Sequence, residues 1–279
     1  MNEVATLDSA FDDMMAAVKS GDTAGLMKLS GQTEDDTPKQ GLSRLNINYE
    51  TETDDGITLK KGAYKVWYNG EFVYADSVMF QPLFRTFEWS IWDQDEGKFS
   101  CRSVQAPSIN HNFPDTNGGN KCGRLTKSEE EQLGEDHPLT LASRLAVCNQ
   151  VFYGKITMDG KNAEGNDVKI EDYPIVAYFK KSGFRPAREA IEALTKREVV
   201  MNEAILKMTT KRHKSGSVTY FTPEFTYVES KKLDDDTIEL MSMFSETIKA
   251  SNANIMEQHK EAVKAKATAE EVDLEADFN

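Results

Sequence analysis

Three short stretches of the chain set aromatic and cationic side chains beside one another. Phe152, Tyr153 and Lys155 share one run, Tyr178, Lys180, Lys181, Phe184, Arg185 and Arg188 surround a second, and Lys211, Arg212, Lys214 and Tyr220 form a third. Aromatic rings offer faces on which unpaired bases stack, at about 1–3 kcal/mol per base, while Lys and Arg meet the phosphates. For any single ring the alternative is burial in the core, because alternation along a strand turns every second residue inward. The cationic clusters are harder to assign to a core than the rings are.

Other chemistries find less support. Cys101, His111, Cys122 and Cys148 have the ligand types of a Cys₃His zinc site, and Gly123 follows Cys122 as in many zinc turns. No pair has the close spacing that marks such a site, so no metal or other cofactor is expected. Asp93, Asp95 and Glu96, or Asp234, Asp235 and Asp236, would be the carboxylates of a magnesium-dependent nuclease. Clusters of that kind are far more often loop surface and helix caps. The chain has no phosphate loop, nucleophile elbow or HExxH motif, and it reads as a binding protein and not an enzyme.

Charge is distributed unevenly. The net charge is −14, yet residues 155–232 carry 15 Lys and Arg against 11 Asp and Glu, which leaves 18 against 36 elsewhere. One basic groove with acidic outlying segments produces that asymmetry. The most acidic end is AEEVDLEADFN, where Glu270, Glu271, Asp273, Glu275 and Asp277 surround an aromatic, Phe278, with no basic residue. Such a segment has too little apolar surface to fold alone and is expected to be mobile, covering the basic groove or docking on a partner. Three widely spaced cysteines argue for reduced thiols inside a cell. No apolar run is long enough to span a bilayer, so a cytoplasmic location without membrane contact is expected.

The elements that must position these residues follow from hydrophobic periodicity. Residues 7–29 have helical spacing and lead through a polar linker to Gly41. This first helix is expected to pack on its own body or to dock on a neighbouring copy, giving a homo-oligomer. From Leu42 the period becomes two, and Asn69-Gly70 between aromatic and β-branched runs marks a type I′ hairpin. Strands fill residues 42–105, an irregular excursion rich in Gly, Pro and Asn occupies residues 106–140, and strands resume at Ala146. A polar loop is expected over residues 159–167, a helix from Ser182 with Pro186 in its first turn, and a last hairpin turning at Ser215-Gly216. A long helix is expected over residues 234–266, with the mobile tail beyond it.

The whole reads as a β-rich α+β fold. Residues 42–233 form an oligonucleotide-binding-like barrel, with helices at both ends and a disordered acidic tail at residues 267–279. The layout of barrel strands, basic and aromatic clusters, helix and a tail ending DLEADFN resembles the single-stranded DNA-binding proteins of bacteriophages. That resemblance implies a protein that coats single-stranded DNA during replication and recombination in an infected bacterium, and recruits a replication polymerase or helicase through its tail. Asn279 after the aromatic and the extra N-terminal helix depart from the pattern. The competing function is a non-catalytic interaction or structural factor whose basic patches bind an acidic protein.

Overall fold

The computed structural model describes residues 41–53 and 56–276, with side-chain surroundings described as far as residue 268. The expected N-terminal helix lies outside the described residues. The chain divides into Met1–Gly41 and Leu42–Asn279, and the second unit is a strand-rich α+β structure.

Its nine strands are β1 (Ser43–Ile47), β2 (Tyr64–Tyr68), β3 (Glu71–Ala75), β4 (Val78–Asp93), β5 (Lys98–Arg102), β6 (Val147–Asn162), β7 (Asp167–Lys180), β8 (Ala204–Ser215) and β9 (Val218–Ser230). They form one sheet in the order β3-β2-β1-β7-β6-β4-β8-β9, with β5 on β4. The sheet closes on itself because β6 is long. One of its edges pairs β4 as far as Thr157 and then, at Lys161 and Asn162, takes β3. Gly160 makes this change of partner feasible, since a Cβ there would stand 2.7 Å from the Tyr74 carbonyl oxygen and 2.8 Å from Val73 Cγ1. Strands β1, β2, β3, β6 and β7 thus make a ring, in which β1 and β7 run parallel.

The ring encloses the main core. Leu45, Tyr64, Val66, Val73, Phe80, Phe152, Ile156, Ile170, Ile175 and Phe179 fill it, each from an inward position of its strand. The β2–β3 turn has the expected chemistry, with φ of 48° at Asn69 and 92° at Gly70. Strand β4 tolerates Pro82 because its register shifts between Pro82 and Phe84, where a bulge leaves no ladder donor required.

The expected loop over residues 159–167 is shorter than its composition suggests. Asp159, Gly160 and Lys161 pair with Lys169, Val168 and Asp167, so polar residues continue both strands. They are exposed at the end of a ribbon, where side-chain polarity does not oppose pairing.

Four helices complete the unit: α1 (Lys127–Leu133), α2 (Pro138–Ser143), α3 (Phe184–Lys196) and α4 (Asp235–Ala276). The first two lie in the long excursion, and α1 begins with a capping box between Thr126 and Glu129. Helix α3 buries Ala187 and Leu194 and packs Ile191 against the core. Helix α4 runs past the expected end at Lys266. It lays Phe244 over Leu83, Val151, Tyr153 and Val176, and so covers the outer face of β6 and part of β7.

Candidate nucleic-acid interface

The covering by α4 decides the fate of the first sequence cluster. Phe152 points into the ring and is buried with Phe80 and Phe179. Tyr153 and Lys155 face outward, but Tyr153 lies under Phe244 and hydrogen-bonds Gln105. The Lys155 ammonium is buried, donates to Thr237 Oγ1 at 2.9 Å and stands 3.5 Å from Asp172. None of the three reaches the surface, which corrects their placement in an interface. Alternation along β6 gave two faces correctly, but a helix distant in sequence covers the face expected to be open.

The second cluster separates into parts. Tyr178 is largely buried, with the Arg44 guanidinium 5.0 Å above its ring, and Phe184 packs against Phe87. Arg185 and Arg188 are exposed on α3, each 2.7 Å from the carboxylate one turn on, Glu189 and Glu192. Lys180 and Lys181 are exposed at the strand-to-helix turn. Partial burial first, and then the nearby charges of Lys181 and Arg44, push the Lys180 ammonium below its ordinary pKa. Of the third cluster, Lys211 is 3.9 Å from Glu224, Lys214 is exposed near the hairpin tip, and Tyr220 stacks on His213 at 4.9 Å.

Lys180 and Arg212 line two grooves that share the wall residue Phe221. A groove of about 420 Å³ is lined by Asn46, Tyr49, Lys65, Lys180, Ser182 and Phe221 among others. A second, of about 640 Å³, is lined by Lys60, Lys61, Gly62, Thr210, Arg212 and Phe221 among others. Phe221 belongs to both walls, so the two grooves adjoin across its ring. That ring meets Tyr49 edge-on at 5.9 Å. The loop between β1 and β2 fits beneath it because Gly62 has φ of +85° and no side chain; a Cβ would lie within 2.6 Å of Phe221 Cδ1. Thr210 Oγ1 donates to the Gly62 carbonyl at 2.6 Å, which ties the loop to β8.

The grooves open beside the outer face of β2 and β3. Cross-strand pairing places Lys65 opposite Tyr74 and Trp67 opposite Phe72. Trp67 is 47 % exposed and Phe72 40 %, in edge-to-face contact at 4.9 Å, with the Lys65 ammonium 5.1 Å from the Phe72 ring centre. Lys65 also pairs with Glu50 at 2.8 Å and Lys60 with Asp76 at 2.6 Å. Lys61, Lys180 and Arg212 are ion-paired with no carboxylate of the described residues. The arrangement therefore offers exposed ring faces beside two adjoining grooves, and, among the described residues, three cations on those grooves without an ion-pair partner. This is what a flexible polyanion with stacking bases requires.

The cysteines do not assemble as a Cys₃His set. Cys101, Cys122 and Asp115 are buried with their ligand atoms within 4.8 Å of one another, while His111 is exposed and Cys148 packs apart with Phe87 and Phe113. Asp115 has a structural task, accepting backbone N–H bonds from Asn117, Gly119 and Cys122. The acids at Asp93–Glu96 are likewise engaged: Asp93 accepts the N–H groups of Asp95 and Glu96, and Glu96 pairs with Lys98. Asp234 caps α4 by accepting from the Thr237 hydroxyl and from its N–H, and these bonds, the hydroxyl's first, hold its carboxyl down at about 2.

The tail side chains Glu270, Glu271, Asp273, Glu275, Asp277 and Phe278 lie outside the described residues. No helix among the described residues is long and apolar enough to cross a membrane. The chain matches no family model, no curated protein and no solved structure.

Proposed function

We propose that this protein binds single-stranded DNA with little regard to sequence and performs no catalysis on it. The observation that carries the reading is the Tyr49–Phe221 pair walled by the uncommitted cations Lys61, Lys180 and Arg212. An exposed aromatic and basic sheet face such as that of β2 and β3 is also the kind of surface on which oligonucleotide-binding proteins hold their ligands. The acidic tail competes with DNA for these cations and recruits a replication polymerase or helicase, in the manner of the phage proteins that the layout resembles. Fluorescence anisotropy with labelled oligo-dT tests the reading. Salt-sensitive binding supports it, and no binding at low salt removes it.

A second reading, a partner-protein adaptor, draws support from the β4–β5 hairpin. Trp92 is 49 % exposed and meets Phe99 edge-on at 4.9 Å, beside the acids Asp93, Asp95 and Glu96. That patch repels phosphate and suits a basic, partly apolar protein surface. If DNA binding is absent while Trp92→Ala abolishes a pull-down, the adaptor reading replaces the first.

A further inference from the structure

A further depression, of about 770 Å³, is not used by the interface described above. It lies between the loop before β2, the end of β3 and the β6–β7 ribbon, and Tyr74, Lys161 and Lys169 are among its lining residues. Lys60 and Asp76 line this depression and also the groove beside Phe221 and Arg212. Their ion pair, at 2.6 Å, therefore stands at the shared wall of the two.

Resting on the single-stranded DNA reading, we propose that the Lys60–Asp76 pair is a latch across the nucleic-acid path. When a strand occupies the groove, a phosphate replaces the Asp76 carboxylate on Lys60, and the path extends past the latch to Tyr74. Both partners are about two-thirds exposed, and an ion pair so exposed to solvent is weak, so opening it costs little. In the closed state Asp76 acts by occupying a cation that an approaching phosphate would otherwise meet. Beyond the latch the charge is balanced, with Lys161 at 3.0 Å from Asp167 and Lys169 beside Glu171. The extension adds one phosphate contact at Lys60 and one ring, Tyr74, but no further strong electrostatic grip. Tyr74 shares the outer face of Lys65 and Phe72, so a strand reaching it remains on one continuous surface.

The test is a double-mutant cycle read by oligo-dT anisotropy at several salt concentrations, using wild type, Asp76→Asn, Lys60→Gln and the double variant. Asp76→Asn is expected to tighten binding about three- to tenfold at low salt, because Lys60 then meets the phosphate without first giving up its carboxylate partner. In the Lys60→Gln background the same change should give no gain. Equal affinity for wild type and Asp76→Asn overturns the latch. So does a gain that persists without Lys60, because Asp76 would then act only by repulsion. If wild type binds no oligonucleotide, the single-stranded DNA reading itself fails and the latch falls with it.

Discussion

Tyr49 and Phe221, one on the segment after β1 and the other on β9, hold each other by the backbone as well as by their rings. The Tyr49 hydroxyl donates to the Phe221 carbonyl at 3.2 Å and accepts from its N–H at 3.3 Å. Strand β9 would otherwise present those groups to solvent. A single phenol therefore fixes the position of the ring that joins the two grooves.

Tyr49→Phe should consequently lower stability by about 1 kcal/mol, the net value of the exposed bonds it removes, and leave the stacking face in place. Tyr49→Ala should cost a further 1–3 kcal/mol, roughly, in oligonucleotide binding. Urea denaturation and anisotropy read the two effects separately. Equal DNA affinity for wild type and the alanine variant would place the bases elsewhere.

Neutralising Lys61, Lys180 and Arg212 together should reduce the salt slope by about 2, because each phosphate deprived of its cation subtracts roughly 0.7. The contrasting variant, Arg185→Gln with Arg188→Gln, removes cations already held by Glu189 and Glu192 and should change the slope by less than about 0.7. A larger effect from the helix pair than from the groove triple would move the interface to α3.

Phe152→Ala should destabilise the protein by about 3–5 kcal/mol, the usual cost of emptying a buried aromatic site. The fraction that remains folded should bind DNA with unchanged affinity. A thermal or urea melt gives the first quantity and a titration of the folded fraction the second. A well-folded Phe152→Ala variant unable to bind would contradict the burial of this ring.

Glu88 is buried to 1 % exposure and bonds Arg102 at 3.1 Å, while its other oxygen has no partner among the described residues. Burial raises its carboxyl above the ordinary 4.5, with Arg102 the main opposing influence. A carboxyl whose pKa is raised in the fold binds a proton more readily folded than unfolded. Its contribution to stability is therefore fullest below about pH 4.5 and is lost as pH rises through the folded value. Glu88→Gln should flatten that pH dependence. Glu88→Ala should cost about 2–3 kcal/mol near neutral pH, less than for a fully buried pair because Arg102 keeps part of its solvent. Urea denaturation across a pH series checks both, and an unchanged pH profile for Glu88→Gln would show that this carboxyl does not carry the linkage.

Much of the architecture is readable from local pattern. Asn69-Gly70 specifies the β2–β3 turn through positive φ, and Pro186 sits in the first turn of α3. The run YKVWYNGEFVYA also contains the exposed aromatic and basic face. Its alternation sets Lys65, Trp67, Phe72 and Tyr74 against Tyr64, Val66, Val73 and Ala75, and the second set is the core. Seeking rings adjacent in sequence to cations led instead to β6. There, neighbours such as Phe152 and Tyr153 necessarily point to opposite faces. What no local pattern contains is the cover over those faces. Tyr153 is buried by Phe244 and Lys155 is bonded by Thr237, both from a helix far along the chain. Lys180 and Arg212 are legible as cations, but the adjoining of their two grooves depends on Phe221, whose place is set by Gly62 and Tyr49 across the fold.

The ring of strands also orders events in time. The β6–β7 and β8–β9 hairpins join neighbouring segments, whereas closing the ring requires Val73 to find Asn162 and Arg44 to find Val176. Contacts between distant segments bear the largest loop-closure entropy and set the pace of folding. Tyr49 and Phe221 lie 172 positions apart, so the proposed recognition surface forms only through such long-range closure. A chain arrested just before it would already hold its hairpins and much of its hydrophobic collapse, yet have nowhere to seat a ligand. Ligand present during refolding would therefore select the finished molecules without guiding the earlier steps.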